Sequence, residues 1–173
     1  YASVRFLQEW ASALTPANYG LIGTASGTLL AAALAAALQP EVAQPLARAA
    51  LVLTLLAGAV RTLSLWRNAR LVPRSTLQTA LGIRHPKIAQ RSMGFGGGAF
   101  NTREFFHGRT PVLLQRVRAG FLLAAFAGPA ALLAAGAPPA LAFVLQFAGL
   151  LAERWYFFAE ARHPQNLYYQ TVS

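Results

Sequence analysis

The expected fold class is an all-α, polytopic transmembrane bundle: four spans arranged as two hairpins and joined by a long basic loop. Three features point to it. Apolar residues make up 55% of the 173, and charged residues only 12%, about half the charge of an average soluble domain. Four apolar stretches each approach the roughly 20 residues that cross a hydrocarbon layer as a helix. Nearly all the charge falls between or outside those stretches, as a membrane requires of its loops. Mean hydropathy is +0.42, and twenty ionisable Lys, Arg and Glu side chains cannot coat a water-soluble core of this size.

The spans are expected at about residues 19–38, 47–66, 119–137 and 140–159, within a single membrane domain covering 1–173. None shows period-two alternation, so helices rather than barrel strands follow. Gln39-Pro40-Glu41 through Gln44-Pro45 reads as a short turn between the first two spans. Gly136-Ala137-Pro138-Pro139 reads as a tight turn between the last two, with Pro close to the start of the fourth helix. Pro129, in mid-span, should kink the third helix. Gly23 and Gly27 form a GxxxG in the first span, and Gly120, Ala124 and Gly128 recur every four residues in the third. Such stripes let backbones approach in lipid, and packing within the chain is favoured over dimerisation because short hairpins already bring helices together. The segment from Tyr1 to Trp10 reads as helical, with Arg5 and Glu9 as an i,i+4 pair. Trp10, Tyr19, Trp66, Trp155 and Tyr156 fall near span ends, as an interfacial aromatic belt does.

Residues 67–118 form an extramembrane basic loop. It holds ten of the fifteen positive residues against Glu104 alone. A pI near 11.5 raises nucleic-acid binding as an option, but the flanking apolar spans favour a positive-inside loop, and no nucleic-acid partner is expected. About 50 residues are too many for a passive connector. A short helix should start near Ser75 and end near Gly82, with another turn over Lys87 to Arg91 and a capped helix over Asn101 to His107. The glycines from Gly94 to Gly98 lack the frame of a phosphate cradle. Arg84, His85, Lys87, Arg91, Arg103, Glu104 and His107 are the candidate docking residues for a partner surface, and anionic lipid is the competing ligand for any single Arg.

Glu153 and Arg154 are the most informative ionisable pair. A charge inside a span costs about 2.5–3.5 kcal/mol, so it is normally paired or functional. A carboxylate beside aromatic side chains suits a quinol proton and ring, which makes Glu153, Arg154, Trp155 and Phe158 the candidate quinone site. The plain alternative is that Glu153 and Arg154 snorkel at the interface and pair with Arg61 or Arg5. Zero Cys excludes thiolate metal sites and cluster ligation by this chain. His85, His107 and His163 all lie in expected loops or tails, so neither haem nor another metal is expected here.

Several stretches carry a family resemblance. They are Thr15-Pro16-Ala17-Asn18-Tyr19, Gly82-Ile83-Arg84-His85-Pro86-Lys87, the run from Gly97 to Gly108, and the run from Leu151 to Phe158 followed by His163-Pro164-Gln165-Asn166-Leu167-Tyr168-Tyr169. Together they resemble the C-terminal half of the DmsC-type membrane anchors of dimethyl sulfoxide reductase-like molybdoenzymes, and among these the sulfite-oxidising relatives. Members of that family typically have eight spans, so the resemblance implies a processed or partial chain whose Tyr1 falls at the end of the fourth. It implies a multi-pass subunit of the bacterial inner (cytoplasmic) membrane that binds quinone or quinol. It also implies partners: an iron–sulfur subunit and a molybdopterin catalytic subunit. Arg154, Phe157 and Phe158 are the part of the last span that matches the family pattern. The competing expectations are half of a transporter or channel, and a basic lipid-binding membrane protein.

Overall fold

The computed structural model describes residues 1–72, 74, 76–88 and 111–161. Among them there are helices and no strands, and four helical segments are long and apolar enough to cross a membrane. Helix α1 runs Leu14–Leu38 and α2 runs Pro40–Ala69. A short α3, Leu77–Leu81, follows. The third span is composite: α4 (Pro111–Leu122), a π-helical turn (Leu123–Ala127) and α5 (Gly128–Ala134). The fourth is α6, Pro139–Ala159. Both hairpins return to the side they start from. The N-terminal segment, the ends of α2 and α6 and the start of α4 therefore share one end of the bundle, and the two tight turns share the other.

The exterior is apolar. Leu34, Leu55, Leu123, Val144 and Leu151 are among many large side chains left exposed. Water would reject that surface and hydrocarbon accepts it, as in a multi-pass membrane protein. The interior is built largely from small residues. Ala25, Ala32, Ala50, Ala57, Ala125 and Ala142 are enclosed between helices, where short side chains let neighbouring backbones approach.

The first turn is tighter than the prolines suggest. Gln39 alone separates α1 from α2, and Pro40 opens α2. A first-turn proline lacks only an N–H that would be unpaired anyway, so Pro40 starts a helix rather than extending a loop. Pro45 lies inside α2, within its second turn. The second turn is as expected. Gly136 takes a left-handed φ of +74°, its N–H bonds the Leu133 carbonyl, and the Ala137 N–H bonds that of Leu132. This is a Schellman stop, followed by Pro138 and Pro139.

Pro129 acts on the third span by a local route. It has no N–H to give the Ala125 carbonyl four residues back. The chain widens into the π-helical turn just before it, and the Gly128 N–H reaches Leu123 O, five residues away. The freed Ala125 carbonyl accepts from Gln146 Nε2 on α6 at 3.3 Å, and the same amide also bonds Thr54 Oγ1 on α2 at 3.1 Å. Gly149 makes this approach possible. A Cβ there would lie 2.3 Å from Ala125 N.

Three expectations are corrected. The GxxxG of α1 does not pack within the chain. Positions 20, 23 and 27 have open space where a Cβ would stand. The inward face carries Thr15, Asn18, Ile22, Ala25, Leu29 and Ala32 instead. Polar Thr15 and Asn18 cannot face lipid cheaply, and turning them inward places the glycines outside. In the third span, Gly120 is likewise open, whereas Gly128 sits against Leu145. The segment from Tyr1 to Trp10 is a chain of turns rather than a helix. Buried Leu7 and the Trp10 indole anchor it on the bundle, and that tertiary anchoring overrides weak local helicity.

Beyond α2 the described loop is short. Thr76 caps α3 in a reciprocal box with Thr79, so the cap lies one residue beyond Ser75. Gly82 ends α3 at φ +68°. The expected turn over Lys87 to Arg91 falls mostly outside the described residues. The glycine run and the helix over Asn101 to His107 lie wholly outside them.

Candidate functional site

The end of the bundle that carries the loops also carries its buried charge. Glu153 on α6 is fully enclosed, at 0% exposure, and Arg61 on α2 is 2% exposed. Glu153 Oε1 lies 2.7 Å from Arg61 Nε. The contact is short, but its N–H direction misses the oxygen, so it is an ion pair rather than an aligned hydrogen bond. Glu153 Oε2 accepts from Arg154 Nε at 2.6 Å and is also met by Arg154 Nη2. Arg61 Nη2 reaches Glu160 Oε2 at 3.9 Å. Two guanidinium and two carboxylate charges cancel, so the cluster is neutral as a whole. That neutrality is what lets it sit among helices.

The cluster belongs to a longer column. Thr54, Arg61 and Asn68 recur every seven residues on α2, and Gln146, Glu153 and Glu160 recur every seven on α6. Seven residues make almost two turns, so each set occupies nearly one face. The sets meet rung by rung. Gln146 bonds Thr54, Glu153 pairs with Arg61, and Glu160 hydrogen-bonds Asn68. Burial pushes the Glu160 carboxyl above its usual range, and Arg61 and Asn68 pull against that shift.

Arg154 stands at the edge of the cluster, 30% exposed. Its guanidinium lies 4.2 Å from the Tyr19 ring centre and 5.2 Å from that of Phe157, within cation–π range. Phe157 stacks on Trp10 with centroids 5.1 Å apart. Phe158 packs edge-on to Trp10, and Tyr1 stacks beside Tyr19. The Trp10 Nε1–H donates to Phe157 O at 3.1 Å, satisfying one of the carbonyls that a helix C-terminus leaves unpaired. The result is an aromatic cluster in which Tyr1 packs against Trp10, Tyr19, Phe157 and Phe158, with the part-exposed Arg154 guanidinium at its edge.

Of the expected ring-binding residues, Arg154 and Phe158 belong to this cluster. Glu153 lies behind it, with both oxygens engaged. Trp155 is half-buried and packs against the main core cluster. Glu153 pairs with Arg61, as the plain alternative expects, while Arg5 is not its partner. Tyr19 and Trp10 were legible as belt residues but not as members of one aromatic cluster. Arg84, His85 and Lys87 are exposed after α3, and the Lys87 N–H donates to His85 Nδ1 at 3.1 Å. Arg91, Arg103, Glu104 and His107 lie outside the described residues. Among the described residues, no group of three or more His, Cys, Asp and Glu is gathered for a metal. A cavity of about 260 Å³ lies at the opposite end, beside the two tight turns.

Comparison with known proteins follows the same line. No family model and no solved structure matches the chain. Over its whole length the chain is 50% identical to a sulfite dehydrogenase subunit of Allochromatium vinosum, and it spans 55% of that protein's length. It is thus similar, from end to end, to about half of a sulfite dehydrogenase subunit.

Proposed function

We propose that this chain is the membrane part of a sulfite-oxidising complex of the DmsC-anchored type, and that it passes electrons to quinone in the bacterial inner membrane. The observation that carries the reading is the end-to-end match, at 50% identity, to a subunit named for sulfite dehydrogenase. Four apolar helices support an anchoring role. Sulfite and water give sulfate, two electrons and two protons on the molybdopterin subunit. The electrons cross the iron–sulfur subunit, which docks on the basic end of the bundle. Quinone takes two electrons and two protons to become quinol. Arg154 donates to a quinone carbonyl, while Tyr19 and Phe158 hold the ring. Glu153 lies behind Arg154 and, through its Oε2, keeps it in place.

Purification in mild detergent tests the reading. Iron and molybdenum should accompany the chain, and the complex should reduce a short-tailed quinone with sulfite. A chain isolated without either metal, or a complex that oxidises sulfite but never reduces quinone, overturns it. Arg154→Ala should raise the quinone KM on the order of tenfold, as expected for one charge-assisted hydrogen bond.

A further inference from the structure

We infer that Arg61 is a positioning residue for the proposed quinone site, acting through Glu153 on Arg154. The inference rests on the proposed role of Arg154 at that site. Adjacent residues on a helix point about 100° apart and do not face each other. Arg154 nevertheless folds back onto Glu153 and places two nitrogens on Oε2. An anion at Glu153 favours that posture over extension toward the interface, where a long cationic side chain otherwise snorkels.

Glu153 in turn is fully enclosed. A buried carboxylate is costly unless a counter-charge stands beside it. Arg154 is part-exposed and can leave. Arg61 cannot, because it is itself 2% exposed and is wedged on α2 with its guanidinium 5.6 Å from the Phe121 ring centre. Arg61 therefore supplies the permanent positive charge. Its position eight residues before the end of α2 sets it about 12 Å inside the helix, too deep to be a snorkelling residue by default. Arg61 spans α2 to α6, holds the Glu153 carboxylate, and through it keeps the part-exposed Arg154 guanidinium against the Tyr19 ring.

The test uses the whole complex and a short-tailed quinone, with sulfite-to-dye turnover as the measure of assembly. Arg61→Met should raise the quinone KM on the order of tenfold with a smaller change in kcat, since one charge-assisted contact is mispositioned. Arg61→Lys keeps the charge and should restore most of the lost affinity. The deciding comparison is the double variant Arg61→Met/Glu153→Gln against Glu153→Gln alone. If Arg61 acts only through Glu153, the two share one quinone KM. That comparison also serves where Arg61→Met alone does not assemble, because the double variant removes both charges of the 61–153 pair and Glu160 keeps its bond to Asn68. An unchanged KM in an assembled Arg61→Met complex, or a double variant clearly worse than Glu153→Gln, overturns the inference. If Arg154→Ala raises KM and the Arg61 variants do not, the inference alone falls. If Arg154→Ala leaves KM unmoved, the site reading falls and takes the inference with it.

Discussion

Glu153 illustrates what a charge inside this bundle requires. Each of its oxygens meets a guanidinium, one from across the bundle and one from the next residue. Removing one member of a buried pair costs about 3–5 kcal/mol, whereas replacing both by apolar groups is often neutral. Arg61→Leu should therefore lower the thermal midpoint in detergent far more than Arg61→Leu/Glu153→Leu does, and equal losses would show that the two residues do not share one interaction. Glu160 adds a pH dependence. Burial raises its carboxyl above the usual range, so the folded chain holds that proton more tightly than the unfolded one. Its contribution to stability is present below the unfolded pKa and fades as pH rises through the raised folded value. The thermal midpoint should fall over that rise, and Glu160→Gln should flatten the curve. The residues of this site were legible one by one. Glu153 and Arg154 announce themselves as charges in an apolar run, and Arg61 does the same. Which nitrogen meets which oxygen depends on how two helices 92 residues apart in the chain are turned toward each other, as the Gln146–Thr54 rung records.

The third span shows how one missing N–H shapes an element. Pro129 was readable as a kink. The form of the response, a π-helical turn with a freed carbonyl taken up by Gln146, was not, because the acceptor's new partner lies on another helix. Two expected outcomes follow. Pro129→Ala restores a donor for the Ala125 carbonyl, so the penalty of Gln146→Leu should be smaller in that background, with a coupling of about 0.5–3 kcal/mol by double-mutant cycle. Gly149→Val should prevent close packing of α6 on the π-helical turn, since even a Cβ at that position would sit 2.3 Å from Ala125 N. Loss of folded protein on size-exclusion chromatography in detergent would register it. The outward glycines of α1 teach the converse. A small-residue stripe is visible in any sequence, but its direction is set by the residues that cannot face lipid, here Thr15 and Asn18.

For the molecule as a whole, the placement of charge and the even number of spans set both termini of the bundle on one side. The chain has no native Cys, so single cysteines report sidedness cleanly. Arg84→Cys and Ala137→Cys should react with a membrane-impermeant thiol reagent from opposite faces of the membrane. Labelling of both from one face would undo the hairpin topology.

The class of solvent, the four helical spans and the tight turn of the second hairpin could be read from the order of residues. Each follows from local composition and from backbone rules that hold wherever the chain is placed. Folding was needed to bring Thr54, Arg61 and Asn68 against Gln146, Glu153 and Glu160 as rungs, and to set Arg154 against the rings of Tyr19 and Phe157. In lipid the helices are apolar nearly all round, so hydrophobicity does not choose their rotation. That choice falls to a few polar side chains and to the close fit of small ones, and both depend on the facing helix.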